Sequence, residues 1–275
     1  MNKLTGFLLA LLLFNSCKNN GQESSSSKME SNTKIEFTDS LGNKISKDEL
    51  AKSTGSFNYE VFGIGNVPKS AKLLHNQARQ HGQKGDYKKA IETLNLACKE
   101  APDWVYPVYD LAYTYLLKDD YDNALKYYRL TDSLAPKGFY TSKTALHTLE
   151  KEKKGDLKQG LYKMYISLEW INDPKEKLEM TELLVSKFPT FAPGWKEYSS
   201  LLEGEKRRNA IEKGLELESD IETKGMLLIN KALMIDQEGD KKQSIELLTN
   251  VIFDSNSTYG NIELAKFVLN NIIKE

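Results

Sequence analysis

The sequence predicts an all-α fold, an α-solenoid of about five helical hairpins with a C-terminal capping helix and a small N-terminal β-rich flap. Three observations predict it. Ala78, Asp86, Tyr87, Ala90 and Pro102 recur 34 residues later as Ala112, Asp120, Tyr121, Ala124 and Pro136, and a fixed period of that length marks stacked helix pairs. Ile262, Ala265, Val268, Leu269, Ile272 and Ile273 form an apolar stripe at helical spacing that caps the open end of such a stack. The chain has 2 cysteines, Cys17 and Cys98, so packing rather than a disulfide framework must hold the fold.

The elements follow in chain order. Met1-Asn2-Lys3 carries one positive charge, and Leu4 to Phe14 is an apolar run too short to span a bilayer comfortably. It has the length of a secretion signal's central region. Residues 18 to 34 read KNNGQESSSSKMESNTK, too polar to offset their chain entropy by burial, and so a flexible tether. Residues 35 to 67 form a small β-rich segment. Ile35 to Thr38 and Phe57 to Phe62 alternate apolar and polar residues, with a turn signal at Leu41-Gly42-Asn43. Gly63-Ile64-Gly65 lacks the rest of a phosphate-loop pattern. Residues 68 to 275 are the helical repeats. About 240 residues follow the signal and tether, enough for a sizeable core.

Phe14-Asn15-Ser16-Cys17 resembles the lipobox of bacterial lipoproteins. The resemblance implies a signal peptide at 1–16, cleavage before Cys17, a diacylglycerol on its sulfur and an acyl group on its new amine. Two or three chains give a stable anchor where one is marginal. An ordinary signal peptide or a short membrane anchor is the alternative. The expected location is the bacterial cell envelope, on the periplasmic side of the outer membrane, because Lys18 and two asparagines follow the cysteine rather than acidic residues.

Residues 71 to 104 and 105 to 138 resemble the tetratricopeptide repeat, a helix-turn-helix unit that needs small residues where its helices cross. Ala78, Ala90 and Ala97 hold those places in the first copy, Ala112, Ala124 and Thr131 in the second. Gly85-Asp86-Tyr87 makes the turn, and Pro102 stops the second helix because it lacks an amide hydrogen. A looser third copy puts its second helix at about Lys158 to Trp170, with Gly160 and Ser167 at the crossing. An extra helix runs from Pro174 to Phe188, a hairpin with a short turn near Gly204 spans about 192 to 219, and residues 225 to 258 return to the pattern with Ala232, Ser244 and Val251.

The resemblance implies a concave face lined by the first helix of each hairpin. That face offers Lys72, His75 and Arg79, then Tyr106, Tyr109, Tyr113 and Leu116, then Tyr140, Lys143 and His147, then Lys196, and finally Met226, Ile229 and Leu233. Tyrosines beside basic residues suit a peptide groove for an acidic or carboxylate-bearing segment; the same tyrosines equally suit packing within and between hairpins. Asp110 stands where the family's carboxylate clamp carries Asn, which argues against a chaperone-tail receptor.

The formal net charge of −1 gives no drive towards nucleic acid. The three histidines, His75, His81 and His147, have no metal-ligand spacing, and no cofactor is expected. Cys98 reads as a buried inert thiol. Asp119-Asp120-Tyr121-Asp122 lacks the glycine and closing glutamate of a calcium loop. Glu150 to Lys154 and Glu203 to Arg208 read as solvated charge runs. The leading function is a lipid-anchored scaffold that docks an unidentified envelope protein or peptide, touching the membrane through its N-terminal lipid. A glycan- or small-ligand-binding lipoprotein, and an enzyme with its site in the flap or the irregular middle, are the alternatives; no nucleophile motif supports the last.

Overall fold

The structure, a computed structural model, describes residues 67–274. The signal, the tether and the β-rich segment apart from Val67 lie outside the described residues, as does Cys17. Among the described residues the fold is all-α.

The first hairpin pairs α1 (Lys69–Gln83) with α2 (Tyr87–Glu100), and the second pairs α3 (Val105–Leu117) with α4 (Tyr121–Leu134). Their crossings are closed by small residues: Ala78, Ala90, Ala97, Ala112, Ala124 and Thr131 are all buried. The turn chemistry repeats as well. Gly85 and Asp119 both take positive φ, at 75° and 61°. Asp86 and Asp120 then cap α2 and α4 by accepting from the amides of Lys89 and Asn123 at 3.3 and 3.2 Å, which satisfies amides that have no partner inside the helix.

The third hairpin departs from the pattern. Helix α5 (Ser142–Lys154) is followed by a short α6 (Leu161–Ser167) that tightens into a 3-10 turn at Leu168–Trp170. Gly160 is not at a helix crossing; it is the left-handed residue ahead of α6, with φ 85°. The amides of Gly160 and Tyr162 both donate to the Glu152 carboxylate, at 2.9 and 2.7 Å. That buried cap anchors the start of α6 on α5, and it removes Glu152 from the solvated face expected of its charge run. Arg207 is likewise buried, with one guanidinium nitrogen donating to the Asn230 carbonyl at 3.2 Å.

Helix α7 (Pro174–Lys187) is the extra element, and α8 (Ala192–Ser200) with α9 (Gly204–Glu216) is the hairpin with the short turn. Helix α10 (Ile221–Gln237) starts four residues before the expected 225, because Asp220 supplies a stronger start by capping the amides of Glu222 and Thr223 at 3.1 and 2.9 Å. Helices α11 (Lys241–Phe253) and α12 (Tyr259–Lys274) complete the chain. Ala232, Ser244 and Val251 are buried at the α10–α11 crossing, and Leu264, Ala265, Val268 and Ile272 of α12 cover it.

The C-terminal helices return to the third hairpin. Thr144 of α5 donates to Asp220 at 2.9 Å, and Lys151 pairs with Glu218 at 2.9 Å. The Tyr259 amide donates to the Lys137 carbonyl at 2.7 Å. The inner side of the stack is therefore closed between α5 and α10.

Candidate functional site

The residues expected along the inner face divide into an exposed set and a packed set. Lys72 and Arg79 stand exposed on α1. Ala71, His75 and Ala78 on the same helix are buried. His75 Nε2 bonds Asp110 Oδ2 at 2.8 Å, and its ring meets the edge of Trp104 at 4.9 Å between centroids. This links the first repeat to the second, so His75 is an inter-repeat contact and not a free groove residue. The same bond engages Asp110 from below.

Tyr106 is buried against Phe139, with ring centroids 4.8 Å apart. Tyr109 is half-buried and packs against Tyr128, Phe139 and Tyr140, and its hydroxyl bonds Thr141 Oγ1 at 3.0 Å. Thr141 also meets the Tyr162 hydroxyl at 3.1 Å. Burial pushes the Tyr109 and Tyr162 phenols well above the ordinary range. Tyr140 sits at φ 47° and its ring meets those of Tyr106, Tyr109 and Phe139. The sequence offered groove or core for these tyrosines; Tyr106 is core, and Tyr109 is half-buried, packed against the core. Tyr113 remains half-buried, beside Trp170.

Lys143 is engaged by Asp132, and His147 is half-buried on α5. Leu116, Lys196, Met226, Ile229 and Leu233, also expected on the groove, are buried. The last three belong to the core under α12, because the capping helix takes the face that a further repeat would have left open. Of the residues expected on the groove, Lys72 and Arg79 are exposed, and Tyr109, Tyr113, Tyr140, Lys143 and His147 are half-buried.

Behind Tyr113 lies a group of charges the sequence did not single out as a set. Glu169 of the 3-10 turn faces Glu197 and Lys196 of α8 and Lys177 of α7. Lys177 pairs with Glu197 at 2.8 Å, and Lys196 lies over the Tyr165 ring at 5.3 Å. Burial, then the Glu197 charge, pushes the Glu169 carboxyl up to about 7. These residues come from three helices with no shared period, so no local pattern points to them.

Two other expectations concern chemistry. Cys98 is half-buried, and burial pushes its thiol up to about 11, which disfavours the nucleophilic thiolate. The acidic turn at Asp119 opens on a depression of about 530 Å³, but its acids are engaged: Asp119 by Lys163 at 2.6 Å, Asp122 by Lys153 at 2.8 Å, Asp120 as a cap. Among the described residues no group of three or more potential ligands could hold a metal, and no helix is long and apolar enough to cross a membrane.

A family model of the tetratricopeptide repeat matches residues 71–103 and 108–137. The chain is a tetratricopeptide-repeat-containing protein. No curated protein matches it. Among solved structures it is similar to MamA from Desulfovibrio magneticus RS-1, at 18% identity and TM-score 0.32 over 73% of this chain and 98% of that one. It is also similar to a tetratricopeptide repeat protein from Parabacteroides merdae ATCC 43184, at 16% identity and TM-score 0.31 over 74% of this chain and 72% of that one. A third is a thermophilic protein of the same repeat class in Thermus thermophilus, at 16% identity and TM-score 0.31 over 72% of this chain and 99% of that one.

Proposed function

We propose that this chain is a docking scaffold of the bacterial envelope, tied to a membrane by lipid on Cys17 and presenting its first two repeats to a protein or peptide partner. The observation that carries the docking reading is the pair of tetratricopeptide repeats at 71–103 and 108–137, a repeat class that serves protein–protein interaction. The exposed cations Lys72 and Arg79 of α1 favour an acidic partner segment. The lipid rests on the apolar run before Asn15-Ser16-Cys17 and the polar tether after it. The periplasmic side of the outer membrane is the location we favour. The chain acts as a scaffold rather than an enzyme in this reading.

Capture of partners from solubilised envelope by the full chain and by the Lys72→Ala/Arg79→Ala variant tests the surface. The variant should retain its helix content and lose a specific, stoichiometric partner; equal recovery by both proteins would reject these residues.

A further inference from the structure

The seam between α5 and α10 holds two carboxylates that docking does not use. Asp220 and Glu222 enter it from the start of α10, and each leaves one buried oxygen, Oδ2 and Oε2, without a hydrogen-bond partner. Asp220 Oδ1 accepts from the amides of Glu222 and Thr223 and from the Thr144 hydroxyl. The Glu222 carboxyl faces the amides of Lys143 and Thr144, first-turn groups of α5 that have no acceptor inside their own helix. Two acids thus crowd one helix start.

We propose that this seam is a proton-operated latch: with a proton on Glu222 the C-terminal helices stay closed on α5, and losing that proton loosens the joint. Two anions side by side away from water repel each other more strongly than in solvent. A proton on either orphan oxygen removes one of the like charges and turns an unsatisfied acceptor into a donor.

The groups around Glu222 agree. Tyr109 faces it from α3 and Tyr162 and Tyr165 from α6; phenols supply no charge to it. Lys196 of α8 is the cation that acts on it, but Lys196 is shared with Glu197 at 3.5 Å. Lys143 of α5 is turned to Asp132 of α4. Asp220, on its own element, opposes ionisation. Glu169 and Glu197 add negative charge from the 3-10 turn and α8, reaching Tyr165 beside the seam. Burial, then Asp220, holds the Glu222 carboxyl well above its ordinary value of 4.5. The folded chain therefore keeps a proton that the unfolded chain sheds near that value, so closure is favoured at low pH and weakens as pH rises through the folded-state value. The latch goes beyond the docking reading and does not depend on it.

Amide hydrogen exchange on the full chain tests it, at about pH 6 and about pH 9, after correction for the intrinsic base-catalysed rate. Protection of residues 143 to 145 and 222 to 226 should fall by about tenfold or more in the wild type and stay level in Glu222→Gln. Level protection in the wild type, or the same fall in both proteins, would overturn the latch. If the variant fails to fold, the carboxyl-carbon titration of Glu222 in the wild type decides: a midpoint well above 4.5 supports the proposal and a midpoint near that value overturns it.

Discussion

At the scale of single residues, His75 shows how a side chain leaves the surface that its helix position assigns to it. Its place on α1 would line a groove, but Trp104 and Asp110 of the next repeat close over it. His75→Ala should cost about 2–4 kcal/mol in urea unfolding, from a lost part-buried hydrogen bond and a lost ring contact. The cost should appear with α1 peeling from α3 rather than with loss of α10–α12. Glu169 makes a separate pH prediction. Its folded-state value lies near 7 against 4.5 for the free group, so the folded chain binds the extra proton between those values. Its contribution to stability is present below the lower value and is lost as pH rises through the upper, a change of about 1–3 kcal/mol. In thermal melts at about pH 5 and about pH 8, Glu169→Gln should lose less stability than the wild type over that interval; an identical loss would remove Glu169 as the source.

At the scale of elements, helix identity was readable wherever a local rule set it. The crossing alanines, the turns at Asp86 and Asp120 and the Pro174 start all act within one turn of their own sequence, and the structure places them in those roles, with both aspartates also capping the helix that follows. The start of α10 and the burial of Glu152 and Arg207 were not readable, because each depends on a partner helix that no local period announces. Gly225 is such a case. It lies inside α10, and a Cβ there would come within 2.0 Å of the Asn261 side chain, whose amide donates to the Ile221 and Glu222 carbonyls. Gly225→Ala should therefore destabilise by about 1–3 kcal/mol through overpacking. Gly82→Ala, where a Cβ meets nothing within 4 Å, should stabilise by about 0.5–1 kcal/mol through the helix preference alone. Chemical denaturation of the two variants gives opposite signs if the α10–α12 contact is as described. Bulk at Ala124, fully buried at the second crossing, belongs with Gly225.

At the scale of the whole molecule, the period of 34 residues made the solenoid legible, but the path of its C-terminal part was not. The return of α10 and α12 to the third hairpin rests on contacts between residues far apart in the chain, such as Thr144 with Asp220, and it closes the inner face where an open trough was expected. On the proposed reading, docking falls to the first repeats and their exposed cations Lys72 and Arg79. The proposed membrane link makes its own prediction: a Cys17→Ser chain should become soluble or stay unprocessed, and mature-length protein pelleting with membranes would reject the anchor. The most direct measurement is site-specific photocrosslinking in intact cells, with the probe placed at Arg79 on the inner side or at Lys99, the exposed second-helix position of the first hairpin. A discrete protein adduct from position 79 and none from 99 is the predicted result. Adducts from 99 alone, or from neither, would contradict a scaffold that docks through its inner face.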